Sequence, residues 1–241
     1  SLGYESVFVP DHVVIPVEFS SRYPGTEDGG FPYGNAVPLY DPWTLLATIL
    51  ATGVVQLDGS IINVALSSID KDLNAGLAGL QWIVAGYALT FASLMLIGGK
   101  LADAYGRRLL FVTGIAVFTL ASLWCGLSSS GTELIVAGVV QGAGAARMNP
   151  ATLSIIAAAF PARQRGTAIG IWAGISALAL AIGPMVGGLL TDHLNWNWIF
   201  FVNVPFGILG IGVSFLLIDE SRDETHTRLD LPGLVTSALA L

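Results

Sequence analysis

From Trp43 onward the chain is a succession of long apolar runs joined by short polar connections. Residues 73–99, 109–132, 166–191 and 194–218 contain no Asp, Glu, Lys or Arg. Each is long enough to cross a hydrocarbon core of roughly 30 Å, which takes about 20 helical residues. Two further stretches, 43–69 and 134–160, are as apolar except for one interior charge each, Asp58 and Arg147. The runs are continuous, without two-residue alternation, so the pattern predicts helices and not membrane-barrel strands. Six spans are expected within residues 42–218. A seventh begins at Pro232 and is cut at Leu241 in mid-helix, as in a truncated chain.

Composition agrees with the pattern. Of 241 residues 54% are hydrophobic and only 11% charged, with mean hydropathy +0.72. A soluble domain carries about a quarter charged residues, so the expected class is an all-α, polytopic membrane bundle. The net charge of −7 adds little about partners. Cys125 is the only cysteine, which excludes an internal disulfide or a cysteine-built metal site. Neither His193 nor His226 has a metal-ligating neighbour. No cofactor, metal, nucleic-acid partner or enzyme activity is expected.

Charge also orients the chain. Lys100, Arg107 and Arg108 follow the second run, Arg163 and Arg165 the fourth, Arg222 and Arg228 the sixth; the opposite connections hold only Lys71. The positive-inside rule then puts the basic connections and the amino terminus in the cytoplasm, at a plasma (inner) membrane. An internal repeat points to three helices plus three. In "GGKLADAYGRR" (98–108) and "GGLLTDHLNWN" (187–197), Gly98, Gly99, Leu101 and Asp103 match Gly187, Gly188, Leu190 and Asp192. These segments leave the second and fifth runs on opposite sides, as an inverted repeat requires. Glycines four apart (138 and 142, 170 and 174, 183 and 187) provide faces for close helix packing. Pro184 removes a backbone donor and is expected to kink or loosen the fifth helix.

Several stretches, in order, resemble the motifs of one family. "GGKLADAYGRRLLF" resembles the loop between the second and third helices of the major facilitator superfamily. "LDGSIINVAL", "VVQGAGAARMNPATLSII", "GPMVGGLL" and "WNWIFFVNVPFG" are similar to the first-, fourth-, fifth- and sixth-helix motifs of its fourteen-helix drug:proton antiporter branch. The resemblance runs from about Trp43 to Leu241. It implies an amino-terminal bundle of six helices in 3+3 inverted repeats, then a linker and a seventh helix over 219–241, without the carboxy-terminal bundle. It also implies alternating-access efflux of a small amphipathic or cationic substrate across the lipid bilayer in exchange for protons. Alternating access needs two bundles, so the missing half or a homodimer partner is required. By the same resemblance Asp103, Arg107 and Arg108 form a cytoplasmic latch, with Gly99 and Gly106 permitting its turn. A plain topology anchor would use the same basic residues. Gly183, Pro184, Gly187 and Gly188 would form the antiporter bend. Trp196, Trp198, Asn203 and Pro205 would mark the start of the sixth helix, the tryptophans also suiting an interfacial belt.

Asp58 lies about fifteen residues into the first span. A lone charge at mid-membrane costs at least about 2.5–3.5 kcal/mol on insertion scales, so it should face a cavity or a partner. A carboxylate so placed can take and release a proton; it can also serve only as a hydrogen-bonding anchor. Arg147 lies about as far into an opposed helix, which makes an Asp58–Arg147 pair one expectation and an isolated oddity the other. The family's usual fourth-helix arginine stands three residues before the Gln-Gly pair, where this chain has Gly138. Asn63, Gln141 and Asn149 are the remaining expected polar linings of the cavity.

Residues 1–41 do not follow the span pattern. β-favouring residues around Val7–Val9 and Val13–Val17 are broken by Pro10 and Pro16. Residues 1–45 resemble a strand and loop of luciferase-like, flavin- or deazaflavin-dependent oxidoreductases, Asp11 and His12 included. One such piece cannot build a barrel or a cofactor site, so it reads as a disordered fusion remnant. Besides transport, two readings remain open: an inactive truncated or chimeric membrane fragment, and a fragment of a flavin-dependent oxidoreductase.

Overall fold

The structure, a computed structural model, describes residues 8–9, 12–13, 42–160 and 162–217. The chain divides into two units, 1–41 and 42–241. In the first, two short antiparallel strands, β1 (Phe8–Val9) and β2 (His12–Val13), pair Phe8 with Val13 and Val9 with His12. The remainder of the predicted extension, and the linker and seventh helix over 219–241, lie outside the described residues.

The second unit is a helix bundle: α1 (Pro42–Leu73), α2 (Gly76–Tyr105), α3 (Arg107–Leu127), α4 (Gly131–Ala159), α5 (Ala162–His193), α6 (Trp198–Phe201) and α7 (Asn203–Leu217). The six predicted runs are all helical. The sixth is divided into α6 and α7 at Val202, four residues before Phe206, because Pro205 has no N–H to offer the Phe201 carbonyl. α5 continues as helix through Pro184.

Among the described residues five segments, the α6–α7 pair counted as one, are long and apolar enough to cross a membrane; α4 is not among them. It carries Glu133, Gln141, Arg147 and Asn149 in 29 residues. α4 can be this polar because it packs on α2, α3 and α1 and buries much of its length against them. A helix covered by protein does not need a lipid-compatible surface all round.

The packing has the symmetry of the repeat. α4 lies on α2 and α3; α1 lies on α5 and α7; α1 meets α4 and α3 meets α7. Exchanging the first three helices for the last three maps each of these contacts onto another, as for an inverted repeat. The matched glycines obey it. A Cβ on Gly98 would run into the Ala146 carbonyl of α4, and one on Gly187 would stand 2.9 Å from the Ile61 carbonyl of α1. Pro150 leaves that Ala146 carbonyl without its helical donor, and the bare Gly98 lets α2 close over it.

The turns follow from local chemistry. Gly106, at φ 119°, joins α2 to α3 with a backbone that favours glycine. α4 starts on a serine N-cap: Ser130 Oγ accepts from the Glu133 N–H at 3.2 Å. Glu133 Oε2 accepts from the Ser129 N–H at 2.9 Å, and its Oε1 accepts from Trp124 Nε1 at 3.0 Å. These donors hold the exposed Glu133 carboxyl below the usual carboxylate range. Trp196 differs from the interfacial-belt expectation. It is 3% exposed, and its Nε1 donates to Asp72 Oδ2 at 2.9 Å. Trp198, 45% exposed, keeps the outward position.

Candidate functional site

The core is two apolar clusters. One contains Val55, Phe118 and Ala145; the other contains Ile61, Cys125, Ala137 and Phe200. Between them in chain order, on α1, α3, α4 and α7 respectively, stand Asp58, Ser122, Gln141 and Asn203. All four are buried, Asp58 to 5% exposure and Asn203 to 0%.

They form one network. Asp58 Oδ1 accepts from Gln141 Nε2 at 3.0 Å and from Asn203 Nδ2 at 2.5 Å. Gln141 Nε2 also donates to Ser122 Oγ at 2.9 Å, and Asn203 Nδ2 reaches the same oxygen at 3.5 Å. The Cys125 thiol lies 3.9 Å from Gln141 Oε1. The layer lies on the symmetry of the fold, since α1 corresponds to α4 and α3 to α7. Asp58 and Gln141 are 83 residues apart, Ser122 and Asn203 are 81 apart.

Both donors bind Oδ1, and Asp58 also lines an open cavity of about 210 Å³. α2 supplies Tyr87 and Phe91, α4 supplies Gly138 and Gln141, and Phe200 of α6 closes another side. The hydroxyl of Tyr87 and Oδ1 of Asn203 are buried with no hydrogen-bond partner among the described residues. Among the described residues no Lys, Arg or His lines the cavity.

The expected site residues divide. Asp58 and Gln141 come together; Arg147 does not join them. Its six-residue offset from Gln141 is about 9 Å along α4, and it turns the side chain to another face. There its backbone lies against Gly98 of α2, and Arg147 has no hydrogen-bond or ion-pair partner among the described residues. The expected Asp58–Arg147 pair is therefore not formed in this structure. Asn63 is exposed, and its amide turns back to the Ser60 carbonyl at 3.4 Å. Asn149 lies off the cavity, with Oδ1 buried and without a hydrogen-bond partner among the described residues. Asn203 was expected only as a marker of the sixth helix; it is a direct partner of Asp58. Ser122 and Tyr87 gave no signal in the sequence.

At the basic end, Gly99 sits over Pro150, with room for an ordinary contact at 3.5 Å. Arg108 Nη2 donates to the Phe215 carbonyl at 2.7 Å, with the guanidinium 5.6 Å from the Phe215 ring centre. The cation thus satisfies a carbonyl in the last turn of α7, where the helix dipole favours positive charge. The Asp103 side chain lies outside the described residues, and Arg107 engages in contacts of its own. In the predicted bend, a Cβ on Gly183 would overlap Ser60 Oγ, and Gly187 is held against Ile61. Pro184 is exposed, and Gly188 stands 3.9 Å from Val64 by the same measure. Gly183 and Gly187 therefore bring α5 onto α1.

Comparison with known proteins agrees with this architecture. The family model described as Major Facilitator Superfamily matches residues 48–239. The chain is 41% identical over 199 residues to "Multidrug resistance protein Stp" of Mycobacterium tuberculosis (strain CDC 1551 / Oshkosh), covering 82% of this chain and 37% of that protein. It is 38% identical over 196 residues to the "Tetracenomycin C resistance and export protein" of Streptomyces glaucescens, covering 80% and 36%. The chain thus spans roughly a third of the length of these relatives. Among solved structures, a peptide transporter POT crystallised with sulfate superposes with TM-score 0.64 at 16% identity, over 72% of this chain and 37% of the other, which bears on the fold alone. The family match begins at residue 48, so the oxidoreductase resemblance of residues 1–45 gains no support from it.

Proposed function

The chain belongs to the Major Facilitator Superfamily, and we propose that it forms one six-helix half of a proton-coupled efflux transporter for small amphipathic or cationic compounds. It is an integral membrane protein. The observation that carries the proposal is Asp58, held at Oδ1 by neutral donors and lining the cavity. A buried charge without a fixed counter-ion is an expensive feature in a membrane and marks a functional site by default. Proton or substrate binding at Asp58 would change the charge of the layer that joins α1, α3, α4 and α7. The names of the drug-resistance and export relatives support efflux as the direction.

Alternating access moves one bundle against another; here a second copy or a further segment serves as the partner. The Arg108 contact with α7 is one half of the proposed latch, and Gly106 gives its turn. Orientation follows the basic connections, with Arg107, Arg108 and Arg165 on the cytoplasmic side of the inner membrane. The test is efflux of a fluorescent cation from vesicles under an imposed proton gradient, comparing the chain, Asp58→Asn and empty vesicles. Gradient-driven efflux is expected to vanish in the variant. Equal efflux by variant and wild type would remove Asp58 from coupling, and no efflux by inserted, folded wild-type chain would exclude the self-paired form.

A further inference from the structure

Gly138 stands on the cavity wall, one helical turn from both Leu134 and Gln141, so the three share one face of α4. Its neighbours explain their own lack of a side chain. A Cβ on Gly142 would stand 2.6 Å from the Tyr87 carbonyl, and one on Gly144 would stand 2.5 Å from the Phe118 nitrogen. At Gly138 the nearest atom would be the Ile83 carbonyl, at 3.9 Å. Packing therefore does not require glycine here, and its effect is to leave space next to the Asp58–Gln141 bond.

Charge says what that space is for. Asp58 has two amide donors and no cation among the described residues, and the cavity lining adds none. Tyr87 and Phe91 line the same space with rings nearly parallel, 6° apart in plane and 6.2 Å between centres. A carboxylate beside aromatic faces favours a cation with an apolar body over a neutral molecule of the same shape.

We propose that Gly138 determines the ligand class of this cavity: the space it leaves admits a compact aromatic monocation, and that cation is the counter-ion of Asp58. The inference rests on the cavity being the transport site. Its test is equilibrium binding to the chain in lipid nanodiscs, using benzyltrimethylammonium and its uncharged isostere neopentylbenzene, with helical content checked for every variant. Wild type should prefer the cation by about tenfold or more. Asp58→Asn should lose that preference while still binding the neutral compound.

Gly138→Ala should bind both within about twofold of wild type, since its methyl has room. Gly138→Leu should lose both by about tenfold or more, because it fills the space. Gly138→Arg should lose the cation preference. Ala88→Leu, which fills the cavity from α2, should reproduce the Gly138→Leu loss if that variant does not fold. If Asp58→Asn loses the preference but Gly138→Leu and Ala88→Leu bind like wild type, the cavity reading stands and the role of Gly138 is wrong. If wild type binds neither compound, both are wrong.

Discussion

Asn203→Ala should cost more than an ordinary buried amide. The side chain is fully buried and donates to Asp58 Oδ1 at 2.5 Å and to Ser122 Oγ at 3.5 Å. Hydrogen bonds to charged groups are worth about 1.5–3 kcal/mol, whereas interhelical bonds measured in membranes average about 0.6 and reach about 1.7 kcal/mol. A carboxylate acceptor with only two donors belongs at the upper end of the membrane range, so a pair coupling of about 1–2 kcal/mol is expected. Truncation also opens a small void, which brings the single variant to about 2–4 kcal/mol.

A double-mutant cycle isolates the pair from the void. Asn203→Ala, Asp58→Ala and the double variant are unfolded in mixed micelles, with helical content followed by circular dichroism. The void terms largely cancel, and the coupling remains. If the two changes add within about 0.5 kcal/mol, the contact carries no energy and the polar layer is an accident of packing. Gln141→Ala provides an internal comparison, since it gives up bonds to Asp58 and Ser122 together. Its coupling to Asp58 should match or fall slightly below that of Asn203, because its bond is longer.

Two other perturbations test the fold around this layer. Gly98→Ala would force its methyl into the Ala146 carbonyl, which belongs to backbone and cannot turn aside. It should separate α2 from α4 and cost about 1–3 kcal/mol, read in the same unfolding assay; an unchanged midpoint would refute the close approach. Glu133 has a carboxyl lowered by its hydrogen bonds, so its capping contribution is present above the unfolded value and is lost as pH falls through the lower folded value. Trp124 emission should therefore shift in the acid range in wild type and not in Glu133→Gln; a shift surviving in the variant would assign it elsewhere.

The helices and Asp58 were legible in the sequence because each departs strongly from a background. Charge-free runs of span length have no soluble alternative, and one carboxylate inside such a run needs a reason. Its partners were not legible. Asn203 is a neutral amide at the start of α7, next to Trp and Pro residues that already explained the segment as a helix start. Arg147 drew attention by its charge, and counting residues from the helix ends gave it a similar depth. That count ignored azimuth: six residues along α4 turn Arg147 to a different face from Gln141. The repeat in the sequence does not find Asn203. Its spacing is 89 residues, from Gly98 to Gly187, which sets Asp58 opposite Arg147, whereas Asp58 and Gln141 are 83 apart and Ser122 and Asn203 are 81 apart.

The identity of those partners decides what the carboxylate can do. An arginine fixed against Asp58 would cancel its charge in every conformation, and opening the pair would leave two buried charges, each strongly unfavourable. Gln141 and Asn203 instead solvate one oxygen without neutralising it. Under the proposed function, the charge of the layer would change when a proton or an organic cation reaches Asp58 through the cavity. A ligand and a proton that use the same oxygen exclude each other, which is the requirement for exchange. The same donors span α1, α4 and α7, so a change at Asp58 would act directly on the helices that meet at the symmetry axis. Under the proposed function, such a bundle would couple charge to helix packing through neutral amides, and the Asn203 cycle measures the strength of that link.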